Sequence, residues 1–144
     1  MLQTFCEQEA LLRLAYVDRQ GFPRVLPLWF VLLDDAYYVG TGTTSPKWKA
    51  IQRDTRVGWS VDGGVPEHYT GASLYGRAIE VTDAATRARV YAALGRKYFQ
   101  TPEHPRFIKD AVKLRPSGQR YKAFAHFHGQ FPLQLCRTDP CDSY

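Results

Sequence analysis

The longest apolar run in the sequence, the nine residues from Val25 to Leu33, has a proline inside it. A membrane-spanning helix needs about 20 apolar residues, so we expect no membrane segment. Proline cannot donate a hydrogen bond to a neighbouring strand, and Pro27 therefore predicts an open edge or a bulge. An open edge beside Trp29 suits a planar heterocycle or a dimer interface, and the two uses are compatible. Covering both faces of this run needs more surface than a small monomeric barrel provides, which predicts a homodimer.

Glycine and proline breakers divide the rest of the chain into short extended segments with few helices between them. The segments with strand character are Leu12–Asp18, Arg24–Leu33, Ala36–Thr41, Thr55–Asp62, Tyr69–Thr82 and Arg120–His128. Helices are predicted over Phe5–Leu12, Pro46–Arg53 and Asp83–Phe99, and residues 100–118 are expected to be irregular, with one helical turn around Phe107–Val112. A parallel sheet needs helical crossovers that one long helix cannot supply. The sequence therefore predicts a mainly β fold, a six-stranded antiparallel β-barrel with a few peripheral helices.

Two glycines lie inside the predicted strand Tyr69–Thr82, at Gly71 and Gly76. Glycines in strand interiors mark bends or places where another backbone comes close. Both positions therefore favour a sheet that curls into a barrel.

Length and charge limit the partners of the protein. With 144 residues, we expect a single domain over 1–144 that ends in an irregular tail over 129–144. The net charge of +5 favours anionic partners, but the basic residues are scattered, so we expect no nucleic-acid binding. An odd number of cysteines (Cys6, Cys136 and Cys141) without a secretory signal is typical of reduced thiols in the cytoplasm.

The strongest chemical feature is the segment around Ser45, Pro46 and Lys47. Serine is a good N-cap and proline suits the first helical position. Lysines at 47 and 49 lie at the positive end of the helix dipole, where cations are normally unfavourable. A bound phosphate would reverse that penalty by accepting hydrogen bonds from backbone N–H groups, from a lysine ammonium and from nearby hydroxyls (Thr43, Thr44 or Ser45). The alternative is a solvated loop with a plain serine cap and two surface lysines.

Two histidines, His126 and His128, are spaced to face the same side of the last predicted strand. Such a pair could bind a metal or haem, or contact an anionic substrate. No third ligand is placed by the sequence, so we expect no metal site.

An ordered set of segments resembles the pyridoxamine 5'-phosphate oxidase-like flavoproteins. The set comprises Leu14–Asp18, Gly21 and Pro23, Arg24–Phe30, Tyr38–Gly42, Ser45–Lys47, Arg53–Val57 and Gly76–Ala78. It covers residues 10 to 82, a little over half of the chain. The resemblance implies a six-stranded split β-barrel that forms a homodimer with FMN bound at the interface.

The resemblance also implies roles for individual residues. Arg24 and Lys47 match basic positions that hold the flavin phosphate, and Ser45 matches the serine on the phosphate side. Thr41 matches a hydroxyl position after the third strand. The strand whose backbone faces the isoalloxazine ring is matched by Leu26, Pro27 and Leu28.

Two departures from the family pattern bear on the reaction. The oxidase proper has an arginine where this chain has Pro46, and the ending over 129–144 does not resemble the substrate-binding terminus of that enzyme. The sequence therefore predicts little or no oxidation of pyridoxamine 5'-phosphate. It favours a flavin-dependent oxidoreductase that acts on another small organic substrate, with no catalytic side chain to name. The alternatives are a reductase of the same fold that uses a deazaflavin coenzyme, and a non-catalytic flavin- or haem-binding protein.

Overall fold

The computed structural model describes residues 2–42, 44–65, 68–101, 111–125 and 135–136. Three helices and eight strands make up this part of the chain. In chain order they are α1 (Leu2–Gln8), β1 (Leu12–Val17), β2 (Pro23–Leu28), β3 (Phe30–Leu33), β4 (Ala36–Gly40), α2 (Pro46–Arg53), β5 (Arg56–Val65), β6 (His68–Glu80), α3 (Ala84–Phe99), β7 (Ala111–Ala125) and β8 (Leu135–Cys136).

The strands form one antiparallel sheet in the order β2-β1-β5-β6-β7-β4-β3, and the two-residue β8 pairs with β7. The path therefore has seven strands where the sequence predicts six, because the segment Arg24–Leu33 is divided into β2 and β3 at Trp29. These two strands occupy opposite ends of the order, yet Trp29 alone separates them in the chain. Leu28 and Phe30 are two residue steps apart, at most about 7 Å, so the sheet must curl until its two ends meet. The result is the predicted curled, barrel-like antiparallel sheet.

The proline in the apolar run has the predicted consequence. β2 is a terminal strand of the sheet order, and Pro27 pairs with Arg13 of β1 on one side only. The run is not buried on both faces in the single chain, however. Val25 is 66% exposed, and Phe22 in the preceding turn is 62% exposed.

Both longer helices begin at side-chain caps, and the sequence predicts the one at Ser45. The Ser45 hydroxyl oxygen accepts a hydrogen bond from the Trp48 backbone N–H (3.2 Å), and Pro46 takes the first helical position of α2. In α3, the Asp83 carboxylate accepts a hydrogen bond from the Thr86 backbone N–H (2.7 Å). Hydrogen bonding to Thr86 lowers the pKa of Asp83. The first helix, predicted over Phe5–Leu12, begins and ends earlier, at Leu2 and Gln8.

The prediction of an irregular segment is wrong for residues 111–118. They form the first half of β7, which pairs with β4 and β6. Pro116 is tolerated inside this strand because the β6–β7 register shifts between Tyr75 and Gly76, and an extra residue on β7 is accommodated there. The predicted helical turn falls partly on this strand and otherwise outside the described residues.

Two groups of buried side chains hold the elements together. The larger group fills the inside of the curled sheet and includes Phe30, Tyr37, Trp59 and Leu114. The smaller group packs α3 against the outside of β3 and β4, through Val90 and Leu94. The C-terminal end of α3 is thereby placed next to the junction between β2 and β3.

None of the helices in the described ranges is long and apolar enough to cross a membrane.

Candidate functional site

A cavity of about 420 Å³ lies where the two ends of the sheet meet. It is bounded by the end of β2, the end of β4 and the first turn of α2. Its lining residues are Leu11, Pro27, Leu28, Trp29, Gly40, Thr41, Gly42 and Lys47. The lining is thus mainly apolar and includes one hydroxyl and one ammonium group, as is common in cofactor sites.

The α2 start is held in place by its own hydrogen bonds and by buried side chains. The Ser45 N–H donates to the Gly42 carbonyl oxygen (3.0 Å), which fixes the loop that leads into the helix. Trp48, Ala50 and Ile51 are buried and anchor the helix on the sheet. Lys47 is consequently carried to the cavity wall by a rigid element.

Lys47 is a half-buried cation at the positive end of a helix dipole. Burial lowers the pKa of its ammonium group. None of the ion pairs seen within the described ranges involves Lys47. Its charge is therefore compensated poorly by the protein itself, and an anion in the cavity would relieve this cost.

Thr41 provides a second polar atom without a partner. Its hydroxyl oxygen is buried and makes no hydrogen bond within the described part of the chain. A buried polar group that is left unsatisfied costs about 1–3 kcal/mol. Since Thr41 lines the same cavity as Lys47, a ligand with polar groups would satisfy both.

The structure brings four of the seven predicted site residues into this lining, namely Pro27, Leu28, Thr41 and Lys47. Ser45 lies two residues before Lys47, and because its oxygen accepts from Trp48 N–H, its own hydrogen remains able to donate. Leu26 is half-buried on β2 opposite Leu14 and is not part of the lining.

Arg24 is not among the residues that line the cavity with Lys47. It lies four residues before Leu28 on β2, about 13 Å along an extended strand. Its side chain is 60% exposed, and its guanidinium lies 3.9 Å from the Asp18 carboxylate. The predicted role of Arg24 at a phosphate stays a prediction.

Sequence reasoning did not assign Leu11, Trp29, Gly40 or Gly42 to the site. The sequence indicates Trp29 as an aromatic neighbour of the open edge, and the family resemblance includes it within Arg24–Phe30. Gly40 and Gly42 enter only through the matching segment Tyr38–Gly42. Leu11 has no local signal, since it lies in the link between α1 and β1 and reaches the cavity only through the fold. The histidines at 126 and 128 lie outside the described residues.

A second cavity of about 430 Å³ lies on the other side of β1, between the β1–β2 turn and the register shift of β6 and β7. Its two arginines already have partners. Arg56 donates to the Asp54 carboxylate (2.7 and 2.9 Å), and Arg77 donates to the Thr55 hydroxyl (2.9 Å). None of the unsatisfied buried atoms of the described residues belongs to its lining. The cavity at Lys47 is therefore the stronger candidate for a ligand.

Comparisons with known proteins agree with this architecture. The family model described as pyridoxamine 5'-phosphate oxidase matches residues 1–123. No curated protein matches the chain.

Three solved structures share the fold. A FAD-binding protein from Mycobacterium smegmatis has a TM-score of 0.67 at 18% identity, over 87% of this chain and 92% of that one. A haem storage protein from Vibrio cholerae has a TM-score of 0.69 at 20% identity, over 86% and 94%. An F420 reductase has a TM-score of 0.64 at 22% identity, over 81% and 94%.

Proposed function

Because the chain belongs to the pyridoxamine 5'-phosphate oxidase family, we propose that it binds FMN in the cavity at Lys47 and acts as a flavin-dependent oxidoreductase on a small organic substrate. The observation that carries this proposal is the pairing of an apolar cavity wall with two poorly satisfied polar groups, Lys47 and Thr41. FMN has the complementary chemistry, a flat ring system joined to a phosphate.

Different residues suit the two ends of such a ligand. Lys47, through its ammonium group and its backbone N–H, and the Ser45 hydroxyl suit the phosphate. The N–H groups of Trp48 and Lys49 are already donated to Ser45. Leu28 and Trp29 offer apolar and aromatic surface to the ring, and the open edge of β2 leaves backbone groups beside it. When bound, the flavin supplies the transfer of hydride or electrons, and the protein supplies position and exclusion of water.

The substrate is proposed to be a molecule other than pyridoxamine 5'-phosphate. That substrate needs a second phosphate site with its own basic cluster. Of the basic residues near the last strand, Arg115 is exposed on β7, and the side chains of Arg120 and Lys122 lie outside the described ones. Pro46 also removes a cation from the first phosphate site.

Binding of FMN and of riboflavin to the purified, ligand-free protein tests the proposal. We expect one FMN per chain with micromolar or tighter affinity, measured by quenching of flavin fluorescence. Riboflavin has the same ring without the phosphate and should bind at least about tenfold more weakly, because it lacks a charge-assisted hydrogen bond. Absence of FMN binding to the folded protein, or equal affinities for the two ligands, would contradict the proposal.

A deazaflavin coenzyme or haem in the same cavity is the second candidate. It is favoured by the structural neighbours that are named an F420 reductase and a haem storage protein. The absorption spectrum of the protein as purified separates the candidates. Flavin absorbs near about 450 nm, deazaflavin near about 420 nm, and haem gives a sharp Soret band.

We further propose that two copies associate and that the cofactor lies at their interface. The β1–β2 hairpin exposes Val17 (42%), Phe22 (62%) and Val25 (66%), and the edge of β2 beside it is adjacent to the cavity. Several exposed apolar side chains on one hairpin are typical of protein interfaces.

The mass of the protein in solution tests the association. Sedimentation at micromolar concentration should give a dimer of the 16.5 kDa chain. Val25→Glu should shift the population toward monomer, because a carboxylate buried in an apolar interface is costly. Val25→Leu keeps the apolar surface and should remain dimeric. A wild-type protein that sediments as a 16.5 kDa monomer would contradict the proposal.

A further inference from the structure

Tyr98, near the C-terminal end of α3, holds the junction between β2 and β3 with its hydroxyl. Its oxygen accepts a hydrogen bond from the Phe30 backbone N–H at 2.9 Å. Its hydrogen can be donated to the carbonyl oxygen of Phe30 (2.9 Å) or of Ala10 (3.0 Å). One side chain thus connects two backbone segments that are far apart in the sequence.

These two segments are the ones that lead into the cavity wall. Ala10 directly precedes Leu11, and Phe30 directly follows Trp29. Phe30 pairs with Val39 of β4, but its N–H and C=O both face Tyr98. The hydroxyl therefore occupies the outer edge of β3 at the point where the chain crosses from one end of the sheet to the other.

The ring of Tyr98 also contacts a side chain that lines the cavity. It stacks on the Trp29 indole with a centroid distance of 5.0 Å and an interplanar angle of 17°. Phe99 meets the same indole edge-on at 5.4 Å. The last turn of α3 thereby fixes the plane of the aromatic residue that lines the cavity, since stacked pairs have preferred geometries.

We propose that Tyr98 is a positioning residue for the cavity at Lys47: its hydroxyl fixes Leu11 and Trp29 relative to each other, and its ring sets the plane of the indole that a bound planar ring meets. The inference rests on the proposed function, because it takes the ring system in the cavity to be a flavin. Tyr98 does not line the cavity and acts only through these neighbours.

The protonation of the phenol agrees with this role. Burial raises the pKa of Tyr98 to about 12. The hydroxyl therefore keeps its hydrogen across the physiological range and remains both donor and acceptor.

Tyr98→Phe is the informative substitution, because it keeps the stacked ring and removes only the hydroxyl. We expect FMN affinity to fall about tenfold, in line with the loss of ordering at one wall of the site. The visible circular dichroism of the bound flavin should also change, since it depends on the orientation of aromatic neighbours. Tyr91→Phe is the matched control. It removes a hydroxyl of the same helix that accepts from Arg87, and both measurements should stay as in the wild type.

The outcomes separate the inference from the proposed function. If the wild type binds FMN and Tyr98→Phe has the same affinity and the same dichroism, the positioning role is overturned and flavin binding stands. If the folded wild type does not bind FMN, the proposed function fails and the inference fails with it. If Tyr98→Phe does not fold, Trp29→Leu replaces it. That variant leaves the hydroxyl contacts in place, and an unchanged flavin dichroism there overturns the role.

Discussion

Replacing Lys47 with alanine should weaken FMN binding about ten- to a hundredfold. A hydrogen bond from a charged donor contributes about 1.5–3 kcal/mol, and each 1.4 kcal/mol changes an affinity about tenfold. The expectation rests on the position of Lys47 at the cavity wall and on its partly desolvated charge. Titration of the ligand-free variant with FMN measures the effect directly.

Two comparisons show whether the lost contact is one to the phosphate. Lys49→Ala removes a cation of the same helix that is exposed and lies outside the cavity lining, so its FMN affinity should stay within about twofold of the wild type. Riboflavin affinity should be nearly the same in Lys47→Ala and in the wild type, because riboflavin has no phosphate. Equal FMN affinities of Lys47→Ala and wild type would refute the assignment, and a parallel loss of riboflavin binding would place Lys47 at the ring instead.

The sequence predicts best those features that depend on local chemistry. Ser45 and Pro46 mark the start of α2 because a cap and a fixed φ angle act within one turn. Pro27 marks an edge strand or a bulge because proline has no N–H to donate to a neighbouring strand, and the structure has it on the edge strand β2. The family resemblance adds Leu28 and Thr41, so that half of the residues lining the cavity are predicted from the sequence.

Features that depend on contacts between distant parts of the chain cannot be predicted from the sequence. The contact of Tyr98 with Ala10 joins residues 88 positions apart, and nothing near either residue indicates it. The sequence predicts residues 111–118 to be irregular because Pro116 lies among them. The partner strand decides the outcome, since a register shift opposite Gly76 accommodates the proline. The absence of Arg24 from the lining that contains Lys47 likewise depends on the curl of the sheet, which no local pattern specifies.

Substituting Gly76 with alanine should destabilise the protein by about 3 kcal/mol, at the upper end of the usual cost of overpacking. A Cβ at this position would collide with the carbonyl oxygen of Arg115 and would lie 2.9 Å from its carbonyl carbon and 3.0 Å from the Ser117 nitrogen. All three are backbone atoms of β7 at the register shift, so no side chain can move aside. The clash is relieved only if β6 and β7 move apart, which weakens the hydrogen bonds between these two paired strands.

Thermal or urea unfolding measures this cost, and Gly58→Ala is the matched control. Gly58 lies in the neighbouring strand β5, opposite Tyr75, and a Cβ there would meet the Leu74 carbonyl oxygen at an ordinary 3.6 Å. We expect the melting temperature to fall by about 10 °C in Gly76→Ala. The melting temperature of the control should change by no more than about 3 °C, because its new Cβ meets no clash and alanine lowers the conformational entropy of the unfolded chain. Similar small shifts in both variants would mean that β7 yields at Pro116, and that the close approach at Gly76 does not hold the curl of the sheet.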